Sequence, residues 1–339
     1  MKETTLKEIA ETLGISITTV SKALKNYSDV SEKTRKAVIA LAEELNYTPN
    51  SFAVNLRTKE SKTIGLIIPE VMHHFFSNVI NAIIDEAEKN GYLVIILQSN
   101  ETLELEKKQV ELLINKRVDG IIMSLSNESN NDEHIKGIIN RKIPFVMFDK
   151  IAKLTTCSKV IIDDQKAALN ATQHLIDNGC KKIAHFRGPL NPQNSIDRFL
   201  GYKKALEDNN IAYDPSLVYL CENNLDFDDG YWNAKKIAIE HPEIDAIFAV
   251  TDLVAIGIIK YFNEIGIEIP RQVAVFGFSN WFMSSIISPK LTTINQPGFE
   301  IGQRAASILF DEIKAKKNDE TVVFQSIELN TSIIEREST

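Results

Sequence analysis

The sequence predicts an α/β chain built from a small three-helix head and a larger two-lobed core with parallel sheets. Three observations carry that prediction. The first 48 residues hold three short apolar-periodic runs, each preceded by a capping residue. From Ser61 the pattern switches to short β-branched runs alternating with helical stretches of 10–16 residues. Those runs come in two sets of similar size, too long together for one ordinary core.

The head opens with Thr5-Leu-Lys-Glu8, which reads as a capping box. Leu6, Ile9, Ala10 and Leu13 then form one apolar stripe, and Gly14 is placed to end the helix in a left-handed conformation. Ser16 caps a second helix with Val20 and Leu24 inward. Ser31 caps a third with Val38, Leu41 and Leu45 inward. Three short helices with a tight first turn make a helix-turn-helix unit, and its second helix is the element that enters a DNA groove. With Val20 and Leu24 inside, Ile17, Thr18, Ser21 and Lys22 face outward. Lys22 suits guanine O6 and N7, Ile17 a thymine methyl, and Thr18 a base edge or phosphate. An ordinary solvated helical face is the alternative on spacing alone.

The totals fit a soluble protein. Of 339 residues, 44% are hydrophobic and 25% charged. No run of about 18 apolar residues is present, so no membrane span is expected. The opening MKETTLKEIAETLG is charged and helical rather than signal-like, which points to the cytoplasm. Cys157, Cys180 and Cys221 are widely spaced and odd in number, as buried free thiols would be. The net charge of −8 is unevenly spread: residues 1–60 hold nine Lys/Arg and eight Asp/Glu, and residues 15–36 hold five basic and two acidic side chains. A local positive patch is what phosphate contact needs, whatever the global sign.

The words "IA..LGIS..TVSKAL", "VSEKTR..V" and "LNYTPN..A..L" run continuously over about sixty residues. This stretch resembles the N-terminal domain of the lactose/galactose-repressor family of bacterial transcription regulators. The resemblance implies that Ile17, Thr18 and Lys22 read the major groove and that Ser16, Thr19 and Ser31 contact phosphates. Thr5 joins them as a DNA-binding residue. Many members carry Arg where this chain has Lys22, so the guanine contact is expected to be single rather than forked.

After Pro49 the segment NSFAVNLRTKES has Asn50 as a cap, with Ala53 and Leu56 on one face. About seven helical residues are too few to be stable alone. By the resemblance this is a hinge helix that pairs with a second copy in the minor groove, where Leu56 wedges between base steps. That pairing implies a homodimer on a near-palindromic operator. The expected boundaries are 1–48 for the helix-turn-helix domain, 49–61 for the hinge and 62–339 for the core.

In the core, TIGLIIP, YLVIIL, VDGIIMS and PFVMFD form the first set of strands. KVIID, KKIAHFRG, SLVYLC, DAIFAV and QVAVFGF form the second. "IDNGCKKIAHFRGP", "SIDRFLGYKKAL" and "PKLTTINQPGFEIGQRAASIL" extend the family resemblance here. They imply the periplasmic-binding-protein-like fold, in which the chain crosses between lobes three times. The crossings are expected near residues 161, 290 and 325, giving lobe one 62–161 with 291–324, and lobe two 162–290 with 325–339.

Ligands in parallel sheets bind at the carboxyl ends of strands, which nominates a cleft between the lobes. Asp149 ends PFVMFD, Thr251 and Asp252 end AIFAV, Ser279, Asn280 and Trp281 follow VAVFGF, and Gln296 follows LTTIN. Arg198 opens the helix of DRFLGYKKAL, and Phe75, Phe76 and Phe227 are loop aromatics suited to stacking on a ligand. The alternatives are a structural ion pair for Arg198 and Asp149, core packing for Phe75 and Phe76, and a dimer or loop contact for Trp281. Two departures from the family pattern bear on the ligand. Thr251-Asp252 stands where many members have Asn-Asp, and Gly277-Phe278-Ser279 where many have Gly-Phe-Asp. A sugar or sugar derivative is the leading expectation, with an anionic ligand left open by the missing carboxylate.

Enzyme readings fail on the residues. GFSNW lacks the closing glycine of a nucleophile elbow. His73-His74 has no second spaced histidine, and no phosphate-binding glycine loop occurs. No catalytic residue, metal or cofactor is expected. The expected function is an effector-controlled DNA-binding regulator, most naturally a repressor. The rival is a solute sensor acting through a protein partner.

Overall fold

The computed structural model describes residues 5–47, 60–71, 74–221 and 225–339. The chain divides into two compact units, Met1–Ser61 and Lys62–Thr339.

In the first unit, α1 (Leu6–Leu13), α2 (Ile17–Leu24) and α3 (Glu32–Glu44) surround Ile9, Val20, Ala23, Val38 and Ala42. The capping box forms in full: Thr5 N donates to Glu8 Oε2 at 3.0 Å and Glu8 N to Thr5 Oγ1 at 3.3 Å. Gly14 ends α1 at φ 64°, a backbone angle that glycine adopts at no steric cost. Ser16 and Ser31 cap α2 and α3 by accepting from the amides of Thr19 and Thr34. One inward assignment shifts. Leu45 caps the end of α3 and is exposed, and Ala42 takes the buried position instead.

The second unit contains two six-stranded sheets. The first holds β1 (Thr63–Ile68), β2 (Leu93–Gln98), β3 (Gly120–Met123), β4 (Phe145–Phe148), β5 (Ser158–Ile162) and a late strand, β11 (Ser326–Leu329), in the order β11-β5-β4-β3-β1-β2, all parallel. The second holds β6 (Ile183–Arg187), β7 (Val218–Leu220), β8 (Ala246–Ala249), β9 (Ala274–Phe278), β10 (Thr292–Asn295) and β12 (Ser332–Ile334), in the order β12-β10-β9-β8-β6-β7. Only β12 runs antiparallel to its neighbour. The central strands are buried along their whole length, which explains why they read as continuous apolar runs.

The helices covering the first sheet are α4 (His74–Lys89), α5 (Leu103–Asn115), α6 (Glu133–Asn140) and α11 (Gly298–Lys317). The second lobe carries α7 (Asp164–Asp177), α8 (Gln193–Asp208), α9 (Phe227–Glu240) and α10 (Asp252–Glu264). The α7–α8 contact is close: a Cβ on Gly201 would lie 2.2 Å from the Gln165 carbonyl. Only glycine permits that approach.

Strand pairing moves two of the three expected crossings and regroups one strand. KVIID belongs to the first sheet as β5, not to the second set. β10 pairs with β9, so the second crossing falls after Asn295 rather than near 290. β11 pairs with β5, so the third crossing falls beyond Leu329 rather than near 325. The reason is the same each time: a strand of four or five residues carries no mark of which sheet it will join.

Candidate functional site

In the reading head, Ile17 and Thr18 are exposed at the start of α2, as a groove-entering helix requires. Lys22 is half-exposed and its Nζ pairs with Asp29 in the turn after α2. That ammonium holds the Asp29 carboxyl below the usual carboxylate range. The Ser16 and Thr19 hydroxyls are 2.8 Å apart, so the two expected phosphate contacts are already linked to each other. Ser31 is linked in the same way to Thr34, at 2.8 Å. Asn50, Ala53 and Leu56 lie outside the described residues.

In the core, the carboxyl ends of the two sheets meet. Asn194 Nδ2, from the second lobe, donates to Asp149 Oδ1 of the first lobe at 3.4 Å, and Ser124 Oγ reaches Asp149 Oδ2 at 3.5 Å. His74 of α4 stacks edge-on to Phe282 of the second lobe at 6.2 Å. Asp149 (φ 55°), Ser279 (φ 124°) and Asn280 (φ 53°) all adopt left-handed backbone where strands end. Such conformations persist where the surrounding structure holds them and recur at ligand sites.

Arg198 lies well inside α8 rather than at its start, and it is buried. Its Nε donates to Asp164 Oδ1 at 2.7 Å, its Nη1 to the Val250 carbonyl at 2.9 Å, and its guanidinium covers the Phe278 ring at 3.7 Å. Its ion-pair partner is therefore Asp164, not Asp149. Burial pushes the Asp164 carboxyl up to about 7, against the pull of Arg198 and with the push of Asp149 and Asp197.

Several nominated residues are tied internally. Asp252 accepts from Thr293 Oγ1 on one oxygen, and from Trp281 N at 2.6 Å and Ser284 Oγ at 2.7 Å on the other. Burial raises its pKa, and those three bonds oppose the rise. Asn280 donates to Asn295 at 2.9 Å and accepts from Arg336 at 2.7 Å. Thr251 caps α10 and donates to the Leu225 carbonyl at 3.2 Å. Ser279 Oγ donates to Gln296 Oε1 at 2.9 Å, closing the end of β9 onto the crossing after β10. Phe75 and Phe76 are not loop aromatics. They sit in the first turn of α4, buried, with Phe76 edge-on to Phe148 at 6.2 Å. The helix register draws both into the core. Phe227 begins α9 and stacks on Tyr231 at 6.1 Å, and Trp281 is half-buried against Phe282 at 5.5 Å.

Sequence reasoning passed over Asp164, Asn194 and Ser124. The strand-end rule that chose Asp149 applies equally to Asp164, two residues beyond β5. Asn194 precedes Arg198 by four residues and shares its helix face. Ser195, beside it, is buried with its Oγ lacking a hydrogen-bond partner.

Residues 61–331 match the model for periplasmic binding proteins and the sugar-binding domain of the LacI family, and residues 5–50 match that for bacterial regulatory proteins of the lacI family. The chain belongs to the LacI family. It is 31% identical over 334 residues to the transcriptional repressor PurR of Vibrio atlanticus (98% of this chain, 97% of the relative), and 32% identical over 336 residues to the catabolite control protein A of Priestia megaterium (99% of each). The Lac repressor bound to ONPG in its repressed state superposes with a TM-score of 0.87 at 26% identity, covering 100% of both chains. As a member of the LacI family, the protein is a DNA-binding transcriptional regulator with a ligand-binding core. Its relatives are regulators rather than enzymes. Among the described residues, no helix is long and apolar enough to cross a membrane, and no His/Cys/Asp/Glu group is arranged to hold a metal. The cysteines are free thiols, and burial pushes Cys157 and Cys180 up to about 11.

Proposed function

We propose that this LacI-family member is a repressor acting as a cytoplasmic homodimer on a near-palindromic operator, released or retained by a neutral polyhydroxylated effector, a sugar or sugar derivative, held between the lobes. The observation that carries the effector class is the charge around Arg198. Two carboxylates, Asp149 and Asp197, act on a third, Asp164, which is paired with the Arg198 guanidinium. Even with a proton on Asp164, that corner offers an anion no net positive charge. Hydroxyl groups fit it well, since Asp149 accepts and Asn194 and Ser195 can donate. One relative from Enterococcus faecium, 27% identical over 82% of this chain (98% of that one, TM-score 0.71), was solved with bound ribose. Ile17, Thr18 and Lys22 would read bases, with Thr5, Ser16, Thr19 and Ser31 near phosphates. Asn50, Ala53 and Leu56 would form the paired hinge.

The test is a thermal-shift panel of neutral sugars, uronic acids and sugar phosphates on the full chain, followed by operator titration with each binder. A native-state ligand raises the melting temperature by mass action. A neutral sugar should stabilise the core and change operator affinity by roughly 5–150-fold, the usual range of allosteric coupling. Exclusive binding of phosphorylated compounds would overturn the effector class, and unchanged operator affinity with an occupied cleft would overturn the coupling.

A further inference from the structure

The reading head carries an acid where a polyanion has to dock. Asp29 lies in the turn between α2 and α3, with its Oδ2 accepting from Lys22 Nζ. That turn is fixed. Tyr27 N donates to the Lys22 carbonyl at 3.1 Å, and Arg35 Nη2 donates to the carbonyls of Tyr27 and Val30 at 2.8 and 3.2 Å. Val30 is buried among the head's core residues. Asp29 is therefore presented at a set place, while its side chain stays 55% exposed and that of Lys22 43% exposed.

An exposed pair of this kind adds little to stability, and a carboxylate facing phosphates is repelled. In the major groove, however, a carboxylate has a matching partner in the N4 amine of cytosine, as an ammonium has in O6 and N7 of guanine. Those groups lie side by side on the edge of one base pair, as Lys22 and Asp29 do on the protein. The ion pair need not break to read them, because an ammonium has three donors and a carboxylate about four acceptor positions.

We propose that Lys22 and Asp29 act as one unit that reads a guanine–cytosine pair, Lys22 donating to guanine and Asp29 accepting from the cytosine N4 amine. This rests on the reading of α2 as the groove-entering helix.

The test begins with selection by the full-length protein from a duplex library with a randomised 20-base-pair core. A G·C pair should be fixed at one position of each half-site. In the selected duplex, pyrimidin-2-one then replaces that cytosine, removing the N4 amine and with it one base-pair hydrogen bond, a loss that the comparison with Asp29→Ala on the same duplexes subtracts. The parent should lose about 5–150-fold in affinity, the usual worth of one good base contact, and Asp29→Ala should bind both duplexes alike. Replacing the guanine by 7-deazaguanine should weaken the parent and Asp29→Ala but not Lys22→Ala. Indifference of the parent to the missing amine overturns the proposal, whatever the variants do. So does an Asp29→Ala protein that binds every sequence more tightly with unchanged preferences, since Asp29 would then be only a brake on Lys22. A parent that selects no sequence at all would instead sink the underlying regulator reading.

Discussion

The molecule holds two ion pairs of opposite character, Lys22–Asp29 in the reading head and Arg198–Asp164 in the core. The first is exposed and joins a helix to a turn of its own small unit. The second is buried beneath α7 and α8, and Arg198 is also bonded to a backbone carbonyl and stacked on Phe278. Water can replace either partner of the first at small cost. Neither partner of the second is replaced so cheaply, because both are buried and a group left alone there loses its hydrogen bond. The same pairing of side chains thus serves recognition where it is wet and architecture where it is dry.

Arg198→Ala is the largest way to break that contrast. It leaves Asp164 to take up a proton and strips the Val250 carbonyl and the Phe278 ring of their partner, and should cost the core about 1–3 kcal/mol, read as a drop in the urea midpoint of the core transition. An unchanged midpoint would mean that the pair is ornamental. Next comes pH. The Asp164 carboxyl, raised to about 7 by burial, binds a proton in the native state that the unfolded chain releases near 4. Its contribution to stability is therefore complete below pH 4, falls as pH climbs toward 7, and is absent above. The urea midpoint of the parent relative to Asp164→Asn should decline across that window and level off beyond it; a flat difference would place the carboxyl's titration elsewhere. Asp29→Ala should show the smallest stability change of the three, a thermal midpoint for the head that stays close to the parent's, because an exposed pair contributes little to folding. A large drop would move Lys22–Asp29 into the architectural class.

What the sequence disclosed, and what it withheld, follows the range of the interactions. Caps are local, and Thr5, Glu8, Gly14, Ser16 and Ser31 all act within four residues of themselves. Periodicity likewise reveals that strands such as Phe145–Phe148 are buried on both faces. Sheet membership is decided far along the chain, so the expected bounds put β10 and β11 in the other lobe, and the β5 run reads as the start of the second set although the bound of lobe one already holds most of it. The cleft was half legible. The strand-end rule found Asp149 and Asp252 alike, yet only contacts 29 to 41 residues away show that Asp252 is consumed by Trp281, Ser284 and Thr293. Phe75 and Phe76, placed in a helix and not a loop, show a neighbouring limit: an aromatic at a helix start reads the same whether it turns toward solvent or core.

The three crossings have a consequence for how the protein is made. Lobe one cannot complete its sheet or cover it until α11 and β11 exist, and these span residues 298–329. A chain emerging from the ribosome therefore carries β1 through β5 from Ile162 until Gly298 with one sheet edge open and one face covered only in part, by α4. Both lobes close almost together, once residues 292–334 have been made, so a nascent chain stalled in the second lobe should be a strong client for chaperones and a poor candidate for folding in pieces.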